Sequence, residues 1–114
     1  TLGVADSVTA FTASDFGRTL DSNGEGSDHG WGAHHFIVGG AVKGGELYGT
    51  WPYIVLRGPN DVGRCNLLPT TSVAAYAATL AQWFGVSPAQ LTDVIPNALN
   101  FPQTDLGFMA AAAA

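Results

Sequence analysis

A chain of 114 residues has room for one domain or part of one, and its 46% hydrophobic content is enough to build a packed core. A formal charge of −5, with only Arg18, Lys43, Arg57 and Arg64 as scattered cations, excludes a basic surface for nucleic acid or anionic lipid. Charged residues make up 11% of the chain, under half of the roughly 25% usual for soluble domains, which points to a surface covered by the rest of its own polypeptide or by other subunits.

No apolar run is long enough to span a bilayer, so no transmembrane segment is expected. The start, TLGVADS, has neither an initiator methionine nor a leader-like pattern, and we read the true N-terminus as lying upstream. The single Cys65 cannot close an internal disulfide and is expected to be a buried or neutral thiol.

In chain order, VTAFTAS (Val8 to Ser14) predicts a mostly apolar strand of the kind buried inside an α/β sheet. A long loop from Gly17 to Ala33 follows, and HFIVGG (His35 to Gly40) predicts a second strand closed by paired glycines. KGGELYG from Lys43 reads as a turn into a short third strand, and Pro52, Gly58 and Pro59 mark a surface excursion. From Thr71 to Phe84 the residues Val73, Tyr76, Ala77, Leu80, Trp83 and Phe84 recur at helical spacing. Thr70 or Thr71 supplies the cap and Gly85 the left-handed stop. Ser87, Pro88 and Gln90 match a capping box for a short second helix that Pro96 ends. Ala110 to Ala114 is a homopolymer of strong helix propensity that can be native, a cloning scar or a placeholder.

The chemistry is concentrated between Phe11 and Phe36, where Asp15, Asp21, Glu25 and Asp28 share glycine-rich surroundings with Arg18 and all three histidines. One reading is a site for a divalent metal such as zinc, built from Asp15, Asp28, His29 and either His34 or His35, although the histidine spacing matches no strong zinc signature. Another is calcium. Asp21, Asn23, Glu25 and Gly26 occupy the first, third, fifth and sixth positions of an EF-hand-type run, but Gly32 stands where the bidentate glutamate belongs. The bland reading is a solvated loop, in which Asp15 caps a turn, Asp21 and Asn23 make Asx turns, and His34 and His35 alternate as a strand begins. Ser14 and Thr12 lack a nucleophile elbow, and GGAVKGG lacks the spacing of a phosphate cradle, so that a hairpin-like turn is the better reading.

SDFGRT at Ser14, SDHGWG at Ser27, GGAVKGG with LYG, LPTTSVAAYAATLAQWFGV from Leu67, and IPN, NFP and LGFM out to Met109 together carry a resemblance. In that order they resemble the C-terminal part of a family of bacterial proteins of unknown function. Its members usually carry a twin-arginine export signal and are placed in the alkaline phosphatase and sulfatase superfamily. The resemblance implies a periplasmic or extracellular protein with an α/β fold. Residues 1–109 would be the C-terminal portion of one alkaline phosphatase-like sandwich with a central, mostly parallel sheet.

In that superfamily a strand ending in T-S-D-H-G delivers an aspartate and a histidine to a dinuclear metal site. By resemblance Asp15 takes the aspartate position, Phe16 replaces the adjacent histidine, and His29, beside Asp28, is the later histidine or a stand-in for the lost one. The superfamily nucleophile would lie upstream of this chain, since Cys65 lacks the C-x-P-x-R context of sulfatase maturation. Arg18 suits a bound phosphate or sulfate, and equally suits pairing with Asp15 or Asp21. Two function classes follow: a metal-dependent hydrolase of phosphate or sulfate esters, or a non-catalytic scaffold or subunit of a cell-envelope or extracellular assembly.

Overall fold

The computed structural model of the chain describes residues 2–111. Its strands are β1 (Thr9–Phe11), β2 (Gly17–Ser22), β3 (Ser27–Gly30) and β4 (Ile37–Gly39), and its α-helices are α1 (Val73–Phe84) and α2 (Leu91–Val94). By its internal contacts the chain divides into two compact units. One comprises the described parts of Thr1–Phe11, Ile37–Gly49 and Thr71–Ala114; the other comprises Thr12–Phe36 and Thr50–Thr70.

Among the described residues the expected central parallel sheet is not there. The described strands form two separate two-stranded sheets, β1 with β4 and β2 with β3, and both pairs are antiparallel. The chain is therefore not an alkaline phosphatase-like sandwich. An apolar run such as VTAFTAS says nothing about the direction of its neighbour. Here it is not buried either, since no residue from Val8 to Ser14 is buried and Val8 and Phe11 are more than half exposed. The strand is also shorter than that run, and Leu47 to Gly49 forms no strand. The stretch from Gly17 to Ala33, expected as a loop, holds the β2–β3 hairpin.

In the first unit α1 forms where the periodicity places it, entering two residues later. The Ser72 hydroxyl accepts from the Ala75 N–H at 3.0 Å, so the cap is Ser72 rather than Thr70 or Thr71. Gly85 ends the helix at φ 113°, a left-handed conformation that suits a residue without a Cβ, and its N–H reaches the Ala81 and Gln82 carbonyls.

One side of α1 presents Tyr76, Leu80 and Trp83 to a cluster of Ala41, Phe108 and Met109. Another presents Ala78, wholly buried, to Leu91 and Ala98, which lets the following turns approach closely. The ends of the expected apolar stripe stay outside, with Val73 72% and Phe84 84% exposed. At Ser87 the reciprocal capping bonds are not made. The Ser87 hydroxyl instead donates to Gln90 Oε1 at 2.7 Å, within a 3-10 turn, Pro88–Gln90, that leads into α2.

GGAVKGG is not a hairpin turn: only Gly40 and Ala41 turn, and Ala41, Val42 and Lys43 within the run are held by distant C-terminal residues. Val42 bridges to Met109, the Lys43 N–H donates to Phe108 O at 2.9 Å, and the Ala110 N–H donates to Ala41 O at 2.7 Å. Ala110 and Ala111 are not helical, and the rest of the alanine run lies outside the described residues.

Thr79 pins this C-terminal segment to the helix. Its hydroxyl, 2% exposed, donates to Ala75 O at 2.8 Å and accepts from the Leu106 N–H at 2.9 Å. Replacing Thr79 by valine keeps the shape but strands the Leu106 donor, so T79V should lose about 1–3 kcal/mol in urea denaturation while T79S loses less. Equal losses for the two would show that the hydroxyl is not what matters.

Candidate functional site

All the sequence-predicted site residues lie in the second unit, and most sit on or beside its hairpin. The hairpin is built around glycine. A Cβ on Gly17 would lie 1.7 Å from the Gly32 carbonyl oxygen, and one on Gly30 would lie 2.9 Å from the Arg18 backbone, so the chain closes to distances no side chain permits. β2 pairs with β3 as Gly17 with Gly30, Arg18 with His29 and Ser22 with Ser27, with an irregularity between Arg18 and Ser22.

The run expected to resemble a calcium loop makes the turn of this hairpin. Asn23 Oδ1 accepts from the Glu25 N–H at 2.9 Å, the Asn23 N–H donates to Gly26 O at 3.0 Å, and Gly24 takes φ 96°. This is the Asx-turn chemistry of Asn23. At Asp21 the backbone carbonyl accepts from the Thr19 hydroxyl at 3.1 Å. Glu25 is exposed at the tip.

Asp28 gathers the main polar contacts. It accepts from Asn23 Nδ2 at 2.8 Å and pairs with Arg64 at 2.5 Å. The Asn23 hydrogen bond, then the Arg64 charge, hold its carboxyl below the ordinary 3.8. His29 lies face to face with Phe16, ring centroids 3.7 Å apart and planes within 10°. The Arg18 guanidinium stands 5.2 Å from the Phe16 ring centre and donates to Ser27 O at 2.9 Å, so that Arg18 braces its own hairpin.

The remaining histidines are held elsewhere. His34 stacks on Trp51 with centroids 4.4 Å apart, and His35 Nδ1 lies 3.2 Å from the Thr12 hydroxyl. Asp15 is exposed between β1 and β2. Among the described residues, no group of three or more His, Cys, Asp or Glu side chains converges in a way that could hold a metal.

Residues 50–70, in which Pro52, Gly58 and Pro59 signal a surface excursion, also supply partners to the hairpin. Asn66 Oδ1 accepts from the Trp31 N–H at 2.9 Å, and the Leu20 N–H donates to Cys65 O at 3.0 Å. Cys65 is 2% exposed, and burial pushes its thiol above the ordinary 9.0. Asp61 shapes this segment by accepting from the Arg57 and Gly63 N–H groups, each at 2.8 Å. Those bonds, Gly63 foremost, hold its carboxyl below the usual value. The one legible signal was Asp61-Val62-Gly63, an Asp two residues before a glycine, as Asx turns favour.

The sequence matches the family described as protein of unknown function (DUF1501) over residues 1–107. The chain belongs to that family. No curated protein and no solved structure matches it.

Because the Asp28 pKa is lowered in the folded chain, its contacts with Asn23 and Arg64 contribute fully above the ordinary carboxyl value. They are lost as pH falls through the lowered one. A carboxyl titration followed by NMR should place the Asp28 midpoint below 3.8, and Asn23→Ala should move it upward. A midpoint that ignores the substitution would show that the amide does not set it.

Proposed function

We propose that this family segment serves as a structural part of a larger protein body, a scaffold or subunit, and that its hairpin unit completes its packing against further protein. The observation that carries this reading is what the hairpin unit buries. Its buried residues are Gly17, Thr19, Gly30 and Cys65, with no large apolar side chain among them. Phe36 at 75%, Trp31 at 64%, Tyr53 at 62% and Trp51 at 58% are exposed. Burying one such side chain is worth roughly 1.5–3 kcal/mol, and a unit that forgoes this repeatedly has little to set against chain entropy.

The polar residues support the same reading. Asp28 is engaged by Asn23 and Arg64, His34 lies on Trp51, and His29 lies on Phe16, the residue at the position where the resemblance expects a ligand. A cell-envelope or extracellular setting belongs to this proposal through the resemblance alone.

The chain on its own should bind an apolar dye such as anilinonaphthalene sulfonate, and the emission of Trp31 and Trp51, read in a Trp83→Phe background, should be that of water-exposed tryptophan. A chain that excludes the dye and unfolds cooperatively with its hairpin unit intact would overturn the proposal.

The hydrolase alternative makes the opposite prediction for metal. On that reading, zinc or calcium added to the chain perturbs the NMR signals of Asp15, Asp28, His29 and His34 together at equimolar metal, and His29→Ala abolishes the response. On the structural reading those signals stay in place.

A further inference from the structure

Strand β1 has an open edge. β4 covers its other side in the register Thr9 with Gly39, Ala10 with Val38 and Phe11 with Ile37. The same ladder runs on to Thr12, whose N–H donates to Phe36 O at 3.0 Å. Hydrogen-bonded and non-bonded pairs alternate along an antiparallel ladder. The bonded pair at Thr12 therefore makes Ala10 the bonded partner of Val38 and turns the N–H and C=O groups of Thr9 and Phe11 away from β4. Among the described residues those outward groups make no backbone hydrogen bond.

Beside this edge lies a cleft of about 300 Å³, walled by Thr9, Phe11, Leu80, Trp83, Phe84 and Val94, with no charged residue in its lining. Phe11 is 53%, Val94 58% and Phe84 84% exposed. The edge also lacks the usual guards. From Val8 to Ser14 there is no lysine, no proline and no charge.

We propose that β1 pairs with β1 of a second copy of this chain, antiparallel about a twofold axis at Ala10. The outward groups fit that partner by symmetry. With Ala10 opposite Ala10 as a non-bonded pair, Thr9 of each copy faces Phe11 of the other as a bonded pair, and each outward N–H meets an outward C=O. The same register sets Phe11 of one copy beside Thr9 of the other on the face where the cleft opens, so the pairing covers apolar surface as well as backbone. An uncharged edge adds no local repulsion to this contact. The inference concerns the first unit and goes beyond the covering of the hairpin unit proposed above.

Sedimentation of the whole chain across a wide range of concentration, with amide exchange at low and high concentration, tests the pairing. The weight-average mass should rise toward a dimer, and the Thr9 and Phe11 amides should gain protection on association while that of Ala10 is protected throughout. Phe11→Lys, which puts a charge on the edge, should weaken the dimer at least about tenfold. Thr9→Pro removes an outward donor and spares the Ala10–Val38 pair, and circular dichroism of α1 checks that each variant folds. A chain that stays monomeric, or that associates without protecting Thr9 and Phe11 and regardless of Phe11→Lys, overturns the proposal. Dye binding by such a monomer would leave the structural reading of the hairpin unit standing.

Discussion

The first unit depends on α1 burying two unlike faces at once. Tyr76, Leu80 and Trp83 need bulky neighbours and find Phe108 and Met109, whereas Ala78 offers only a flat wall, against which Leu91 and Ala98 can close. A helix with aromatics on both faces would hold the following turns away, and one with alanines on both would bury too little apolar surface. The Thr79 hydroxyl fixes the seam by holding Leu106, and Gln82 adds a bond from Nε2 to Thr104 O at 2.6 Å. The C-terminal segment thus lies along the helix for reasons of both packing and hydrogen bonding.

Much of this helix was legible in the sequence. Tyr76, Leu80 and Trp83 recur at helical spacing, and glycine at position 85 marks the stop, because both signals are local. The sheet was not legible, since the direction in which a strand pairs depends on where the chain returns. Here it returns through residues 12–36 to lie antiparallel. The resemblance to a family of proteins of unknown function holds over residues 1–107, whereas the parallel sheet it implied is replaced by two antiparallel pairs.

The candidate site divides in the same way. Asn23 could be read as a turn residue because Asx chemistry reaches only two residues along the chain. Arg64 on Asp28 and Asn66 on the Trp31 backbone join positions thirty-five or more apart, through a segment with no periodic pattern to announce it. Arg64 and Cys65 each take φ 57°, a conformation that neither residue type favours and that composition does not signal. The stacking of His29 on Phe16 gives a physical role to the residue that looked only like a missing ligand.

The hairpin unit is carried on two excursions from the first, each with its ends side by side. Phe11 is paired with Ile37 where the first departs and returns, and Thr12 bonds to Phe36 one step further out. At the second, Gly49 and Thr71 are so close that a Cβ on Gly49 would lie 2.5 Å from the Thr71 hydroxyl, and the Thr70 hydroxyl bonds to Thr50 O. Such gates separate the length of an insertion from the geometry of its frame. Doubling a flexible loop between fixed ends costs only about 0.6 kcal/mol in closure entropy. The strand pair and helix of the first unit are thus closed by residues at the gates themselves, independently of how much chain is carried between them.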